Sequence, residues 1–310
     1  MDATMLDQTP LPCVLNSTHL VDCNVAIGSP LCTTNYSRIS RYGPLVGNVQ
    51  PNGKLIINMK SLLPETKQLI ERLESLSARA VEFFRRDDLA VLATLQIARN
   101  GAGAHLLHYR PSNEPIDYVV CQQVGIVLRM FQLPADERMD FASNESGEKA
   151  LEAMLIASSS LSKSDKQALP TFAKMVNQWA LTQIRSIPVG MRVDAWLHAS
   201  YPNLHDLAER GIAAQQQMNA DILSLRVGNL TIPSIQLAPP AAYALFADRL
   251  FGTSRYAIPF EAAGALPDGK ILLNLFDTIP DDPGHDRQLA DAWAQHLGMA
   301  GWYQWIPYVP

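Results

Sequence analysis

The stretch His105-Leu-Leu-His108-Tyr-Arg-Pro-Ser-Asn-Glu-Pro115-Ile-Asp117, continued by Tyr-Val-Val-Cys121-Gln122-Gln123-Val-Gly125-Ile126-Val-Leu-Arg129 and closing at Arg138, decides the fold. Residues 105–109 are short and extended in character. Pro111 to Pro115 form a turn. A helix follows over 116–131. Ile116, Val120, Val124, Val127 and Phe131 recur on one of its faces. Val119, Ile126 and Leu128 carry apolar character round to the others, so this helix is expected to be buried on nearly every side. Asp117 falls in its first turn, where a carboxylate complements the positive end of the helix.

A short strand, a tight turn and a buried helix form the frame on which a small zinc peptidase hangs its chemistry. There the helix carries two histidines one turn apart, and a glutamate beside the first acts as base on the metal-bound water. Over roughly 30 residues the setting resembles the ImmA/IrrE-like, zincin-type peptidases, through Ile116-Asp-Tyr-Val-Val, glycine at 125 and Leu-Arg129 after it. The resemblance implies a zincin-like core. At the three working positions, however, stand Gln122, Gln123 and Ile126. A neutral amide is a poor zinc ligand and cannot take a proton as a carboxylate does, and isoleucine binds no metal. The candidate functional region is therefore Gln122, Gln123 and Arg129 on the helix, with His105 and His108 on the strand before it. Three residues apart in a strand, the two histidines point to opposite faces. The glutamines are expected to bond to backbone or to each other, as buried amides must.

The 310 residues are 47% hydrophobic and 18% charged, enough apolar material for a full core. A net charge of −5 argues against a nucleic-acid partner, which calls for a basic footprint. Apolar runs are broken before the ~18 residues a membrane span needs, and the N-terminus lacks the pattern of a secretory signal, so a cytoplasmic protein is expected. Four cysteines do not make a disulfide scaffold, and Cys13, Cys23 and Cys32 are too far apart for a zinc knuckle.

Outside the central stretch, residues 1–48 read as an irregular arm. Lys54–Met59 reads as a strand, and Leu69, Leu73, Leu76, Ala80 and Phe83 form one helical stripe. That helix, or a second after Asp87-Asp88, is expected to run through Leu89–Ala98 and to end at Asn100-Gly101. Arg72, Arg79 and Arg86 would make a basic stripe on it, with Glu82 and Arg86 as an i,i+4 pair. The serine-rich piece 158–166 marks a boundary. Beyond it, helices are expected over 167–185, 191–200, from a cap at Asn203 to about Leu223, over 240–251 and over 286–297. A turn at Asp268-Gly269 leads to a strand at 271–276. The aromatic tail, Trp302 to Tyr308, should dock on the body or a partner.

Other motifs fall short. Gly264 to Lys270 has phosphate-loop spacing, but Ile271 replaces the magnesium-binding hydroxyl. No histidine pair has local metal-ligand spacing. The acidic group Asp277, Asp281, Asp282 and Asp286 with His285 reads as a solvated loop. Cys121 lies in an apolar helix and is no nucleophile. The whole is expected to be helix-dominated α+β: an arm (1–48), an α+β subdomain (49–157) holding a small sheet and the buried helix, and a mainly helical subdomain (167–310) with a short strand near 271–276. No catalytic residue and no cofactor or metal is assigned. The expected function is binding or interaction, with a protein partner or self-association through the aromatic C-terminus, and no nucleic acid or membrane. The alternative is a hydrolase of zincin-like lineage, or an enzyme whose site joins residues distant in sequence.

Overall fold

The computed structural model describes residues 24–26, 62–89, 91–110, 116–158, 161–224, 226–227 and 230–310. The expected strand at Lys54–Met59, the turn at 111–115, Cys13, Cys23, Cys32 and most of the arm lie outside these residues. The architecture is α+β and helix-dominated. A four-stranded sheet has the order β1 (Asn24–Ala26), β3 (Ala93–Gln96), β4 (Ala104–Tyr109), β2 (Ala80–Arg85). Strand β4 runs parallel to β2 and antiparallel to β3, and β1 runs antiparallel to β3. Helix α1 (Pro64–Ser77) packs on α2 (Asp117–Phe131), and α2 packs on β3. After β5 (Met139–Ser143) and α3 (Glu145–Ser158) comes α4 (Lys163–Ser200), which touches α2, α3, α6 (Ala238–Phe251) and α9 (Asp286–His296). Between α4 and α6 lie α5 (His205–Asp221) and a small hairpin, β6 (Arg226–Val227) and β7 (Leu230–Thr231). Helices α7 (Ile258–Ala262) and α8 (Leu266–Thr278) precede α9, and β8 (Tyr303–Pro307) ends the chain.

The central helix is buried as its composition demands: Tyr118, Val120, Cys121, Val124, Val127, Leu128 and Phe131 all belong to one core shared with α4, α6 and α9. Its Asp117 does more than complement its own helix. The Leu63 N–H and the Thr66 hydroxyl both donate to Asp117 Oδ1 at 2.7 Å, which ties the start of α1 to the start of α2. Gly125 lets α2 approach α4. A β-carbon there would stand 2.6 Å from Val193 Cγ1, well inside van der Waals contact.

Several elements differ from expectation for identifiable reasons. Helix α1 stops at Ser77, where Ala78 takes a left-handed φ of 52°. Ala80 and Phe83 therefore sit in β2, although their spacing fitted a helix. Arg72, Arg79 and Arg86 do not form a helical stripe, and Glu82 and Arg86 are not a helical pair. The expected helix through Leu89–Ala98 is instead β3. Ala93, Thr94 and Leu95 are all buried, so this inner strand shows no alternation. Asn100 and Gly101, both at positive φ, turn the chain from β3 to β4, with Ala102 N–H donating to Arg99 C=O at 2.9 Å.

The helices expected over 167–185 and 191–200 are one. Pro170 and Pro188 both lie inside α4. Each forfeits a backbone bond, but Ile184, Ile187, Met191 and Val193 are buried on both sides of Pro188 and hold the helix continuous. Ser162 caps α4 in a box with Asp165. Asn203 does not cap α5; its amide donates to Glu65 on α1. The strand expected at 271–276 is part of α8. Asp268 sits in that helix's first turn, and Gly269 faces Ala241 on α6, whose Cβ would lie 2.9 Å from an added β-carbon. The phosphate-loop spacing thus falls within a packed helix start. The aromatic tail docks on the body: β8 pairs antiparallel with β5, and the Tyr308 hydroxyl donates to Ala98 C=O.

Replacing Gly125 by Ala should destabilise the fold by about 1–3 kcal/mol, because the core must part to admit one methyl group. Chemical denaturation measures it, and a Gly125→Ala/Val193→Ala double variant should recover part of the loss. An unchanged midpoint for the single variant would show that α2 and α4 do not meet this closely.

Candidate functional site

The polar face of α2 is taken up inside the protein. Leu95 N–H on β3 donates to Gln123 Oε1 at 3.2 Å, and Gln123 Nε2 donates to Gln122 Oε1 at 3.0 Å. The Gln122 amide lies beside Asp194 on α4 and favours its charged form. Two tyrosine hydroxyls complete the carboxylate's shell: Tyr118 donates to Oδ1 at 2.6 Å and Tyr243 on α6 to Oδ2 at 2.8 Å. Asp194 is 1% exposed. Burial raises its carboxyl to about 6, against the opposing pull of Tyr118, Tyr243 and Gln122. Burial beside Asp194 lifts both tyrosines well above their ordinary range. A cavity of about 20 Å³ adjoins this network, bordered by Tyr118, Gln122, Gln123, Gln215 and Tyr243. That is room for one water and no substrate.

The remaining sequence candidates do not converge there. His105 is buried on β4, where its Nδ1 accepts from Ala98 N–H at 3.0 Å and its ring meets Phe131 edge-on. Burial, with Arg79 and Arg99 nearby, lowers it to about 4, so it stays neutral. His108 projects from the other face of β4, beside Phe84. Cys121 is a free thiol, pushed up to about 12 by burial, and is held unreactive. Arg129 lies at the far end of α2. Its Nε donates to Asp286 at 2.7 Å and its Nη2 reaches Asp281 at 2.9 Å.

Arg192 joins that cluster with 0% exposure, donating to Asp286 Oδ1 at 2.7 Å and to the carbonyls of Ile279 and Pro280 at 2.9 and 2.7 Å. Most of the acidic group read as a solvated loop is therefore paired: Asp281 and Asp286 with these arginines and Asp277 with Arg249, while Asp282 hydrogen-bonds His285. Among the described residues, no group of three or more potential ligands could hold a metal ion. His198 and His205, which Pro202 separates in sequence, stack with centroids 4.2 Å apart, a pairing the local spacing concealed.

A cleft of about 460 Å³ opens beside the arginine–aspartate cluster. Ile126, Val127 and Met130 of α2, Val189 of α4, Ala290 of α9 and Trp305 of β8 make its apolar lining. Arg185 and Ser186 of α4, Arg287 of α9, and Asp136 and Glu137 in the turn after α2 supply its polar edge. This volume falls in the range of about 300–1,000 Å³ common to small-molecule sites. No histidine or cysteine lines it. Compared with known proteins, the chain matches no family model, no curated protein and no solved structure. Among the described residues, no helix is long and apolar enough to cross a membrane.

Sequence reasoning singled out Gln122, Gln123 and Arg129, and read Asp286 only as part of a solvated loop, but gave no place to Asp194, Arg192 or the cleft. A signal did exist. Val189-Gly-Met-Arg192-Val-Asp194-Ala-Trp-Leu197 sets two charged residues amid an apolar helix, and such charges are kept only when paired.

Asp194 and His105 should respond to pH in opposite senses. The Asp194 proton is held more tightly folded than unfolded, so its contribution to stability is greatest below about pH 4 and declines as pH rises through about 6. The contribution of neutral His105 is present above 6.5 and is lost as pH falls towards about 4. Asp194→Asn removes the first and keeps the second. Its stability should therefore fall more steeply than that of the native chain on acidification from pH 6.5 to 4, as read by denaturant titration. Parallel curves would show that Asp194 titrates as an ordinary carboxylate.

Proposed function

We propose that this chain is a non-catalytic binding protein and that the cleft between α2, α4, α9 and β8 is its binding surface. One observation carries this: the cleft of about 460 Å³ is lined by apolar side chains, with its carboxylates at the polar edge or bound to arginines, whereas Asp194 and His105, the acid and the imidazole that burial shifts, lie elsewhere. Asp194 and His105 are closed off in the core, each held by neighbouring hydrogen bonds. The strand-then-helix frame behind the peptidase resemblance is present in β4 and α2. Its glutamines are engaged with Leu95 and with each other, which supports a structural role for them and favours binding over hydrolysis.

The aromatic C-terminus takes part in binding by lending Trp305 to the wall of the cleft. Asp291 fixes that ring, accepting from Trp305 Nε1 at 2.8 Å and from the Tyr303 hydroxyl at 2.6 Å. An aromatic wall held by its own polar end is well suited to present a flat apolar face. A cytoplasmic setting fits the free thiol of Cys121.

N-phenyl-1-naphthylamine, a neutral apolar fluorophore, tests the reading. It should bind the native chain in a 1:1 ratio with enhanced emission. Met130→Trp fills the cleft from a half-buried position, so the fold should persist by circular dichroism while probe affinity drops at least about tenfold, as expected from lost apolar burial. No binding to the native chain, or equal binding to a folded Met130→Trp variant, would remove the cleft as the functional site.

A further inference from the structure

We infer that the ligand of this cleft is an amphipathic anion, an apolar body ending in a carboxylate, whose charged end is held by Arg185 and Arg287; this rests on the cleft being the binding site. The charges around it are segregated. On α4, Arg185 precedes Val189 by one turn; on α9, Arg287 precedes Ala290 by three residues. On each helix the cation and the apolar lining residue therefore share one face. On α2, by contrast, Ile126, Val127 and Met130 present hydrocarbon alone, and the acids Asp136 and Glu137 come only in the turn beyond it.

The third acid of the lining, Asp286, is already neutralised, because Arg129 and Arg192 occupy its carboxylate at 2.7 to 2.9 Å. It neither attracts a cation nor quenches Arg287. Arg185 is half-buried, and among the described residues neither Arg185 nor Arg287 has a hydrogen-bonded or ion-paired acid. Two unneutralised guanidinium groups next to a dry floor suit a carboxylate that can accept from both, with its hydrocarbon laid along α2 towards Trp305. Asp136 and Glu137, carried by a different element of the lining, repel the same group and so disfavour its seating beside them.

Displacement of N-phenyl-1-naphthylamine by octanoate, octan-1-ol and octylamine at pH 7.5 reads this directly. Octanoate should displace the probe at about tenfold lower concentration than octan-1-ol, and octylamine should be the weakest. Arg185→Gln and Arg287→Gln should each weaken octanoate several-fold, more than they weaken octan-1-ol or the probe, and together erase the preference. Raising salt should narrow it. Equal displacement by all three compounds, or a preference for octylamine, would overturn the anion assignment while leaving an apolar binding cleft in place. Failure of the probe itself to bind would instead remove the cleft reading on which it depends.

Discussion

A helix that is apolar on almost every side must be enclosed, and any polar group it carries must then find a partner inside the protein. Helix α2 meets that demand through one carboxylate. Asp194 accepts from Tyr118 of α2 and Tyr243 of α6, with Gln122 beside it, and Gln122 accepts from Gln123, which in turn accepts from the backbone of β3. The sheet, the central helix, the long helix α4 and α6 are thereby held in one mutual arrangement. Apolar packing alone is tolerant of small shifts, whereas a buried acid held by two hydroxyl donors is not. The acid's preference for its proton, raised by burial, shows that the arrangement is held against a desolvation cost.

What the sequence revealed follows from the same physics. The buried helix was legible because its apolar residues exceed any single face. The end of α6 was legible because Gly252 takes a left-handed φ of 64° that few other residues accept. Strand β3 was illegible because it is covered on both faces and so loses its period of two. The stop of α1 was illegible because Ala78 makes the left-handed turn without a glycine to announce it. Pro188 looked like a terminus, and tertiary burial on both sides overrode it. At Asp268-Gly269 the residues of a turn serve instead as a first-turn acid and a close helix contact, a choice that only α6 determines.

The functional region was partly legible. Gln122, Gln123 and Arg129 stood out because they interrupt an apolar helix, but they point to different partners at different heights along α2. The glutamines belong to the dry network, and Arg129 belongs to the cluster beside the cleft. The cleft itself draws on α2, α4, α9, β8 and the turn at 135–137, segments up to about 180 positions apart. No local spacing encodes such a site. Only the oddity of Arg192 and Asp194 in an apolar run hinted that α4 faces polar partners on more than one side.

These two buried charges on α4 divide the work. They are two residues apart, so they leave the helix in different directions. Asp194 turns to α2 and α6 and is closed off completely. Arg192 turns to the segment linking α8 to α9, where it holds the carbonyls of Ile279 and Pro280 as well as Asp286. Breaking a buried pair of this kind is costly because the charge left behind has no water to turn to. The linking segment is therefore fixed in place, and Pro283 and Gly284, which it carries to the cleft edge, are fixed with it. The cleft's shape is thus set by an ion pair of which Asp286 reaches the lining while Arg192 stays buried behind it. Among the described residues, Arg185 and Arg287, the other cations of the lining, have no such acid bound to them.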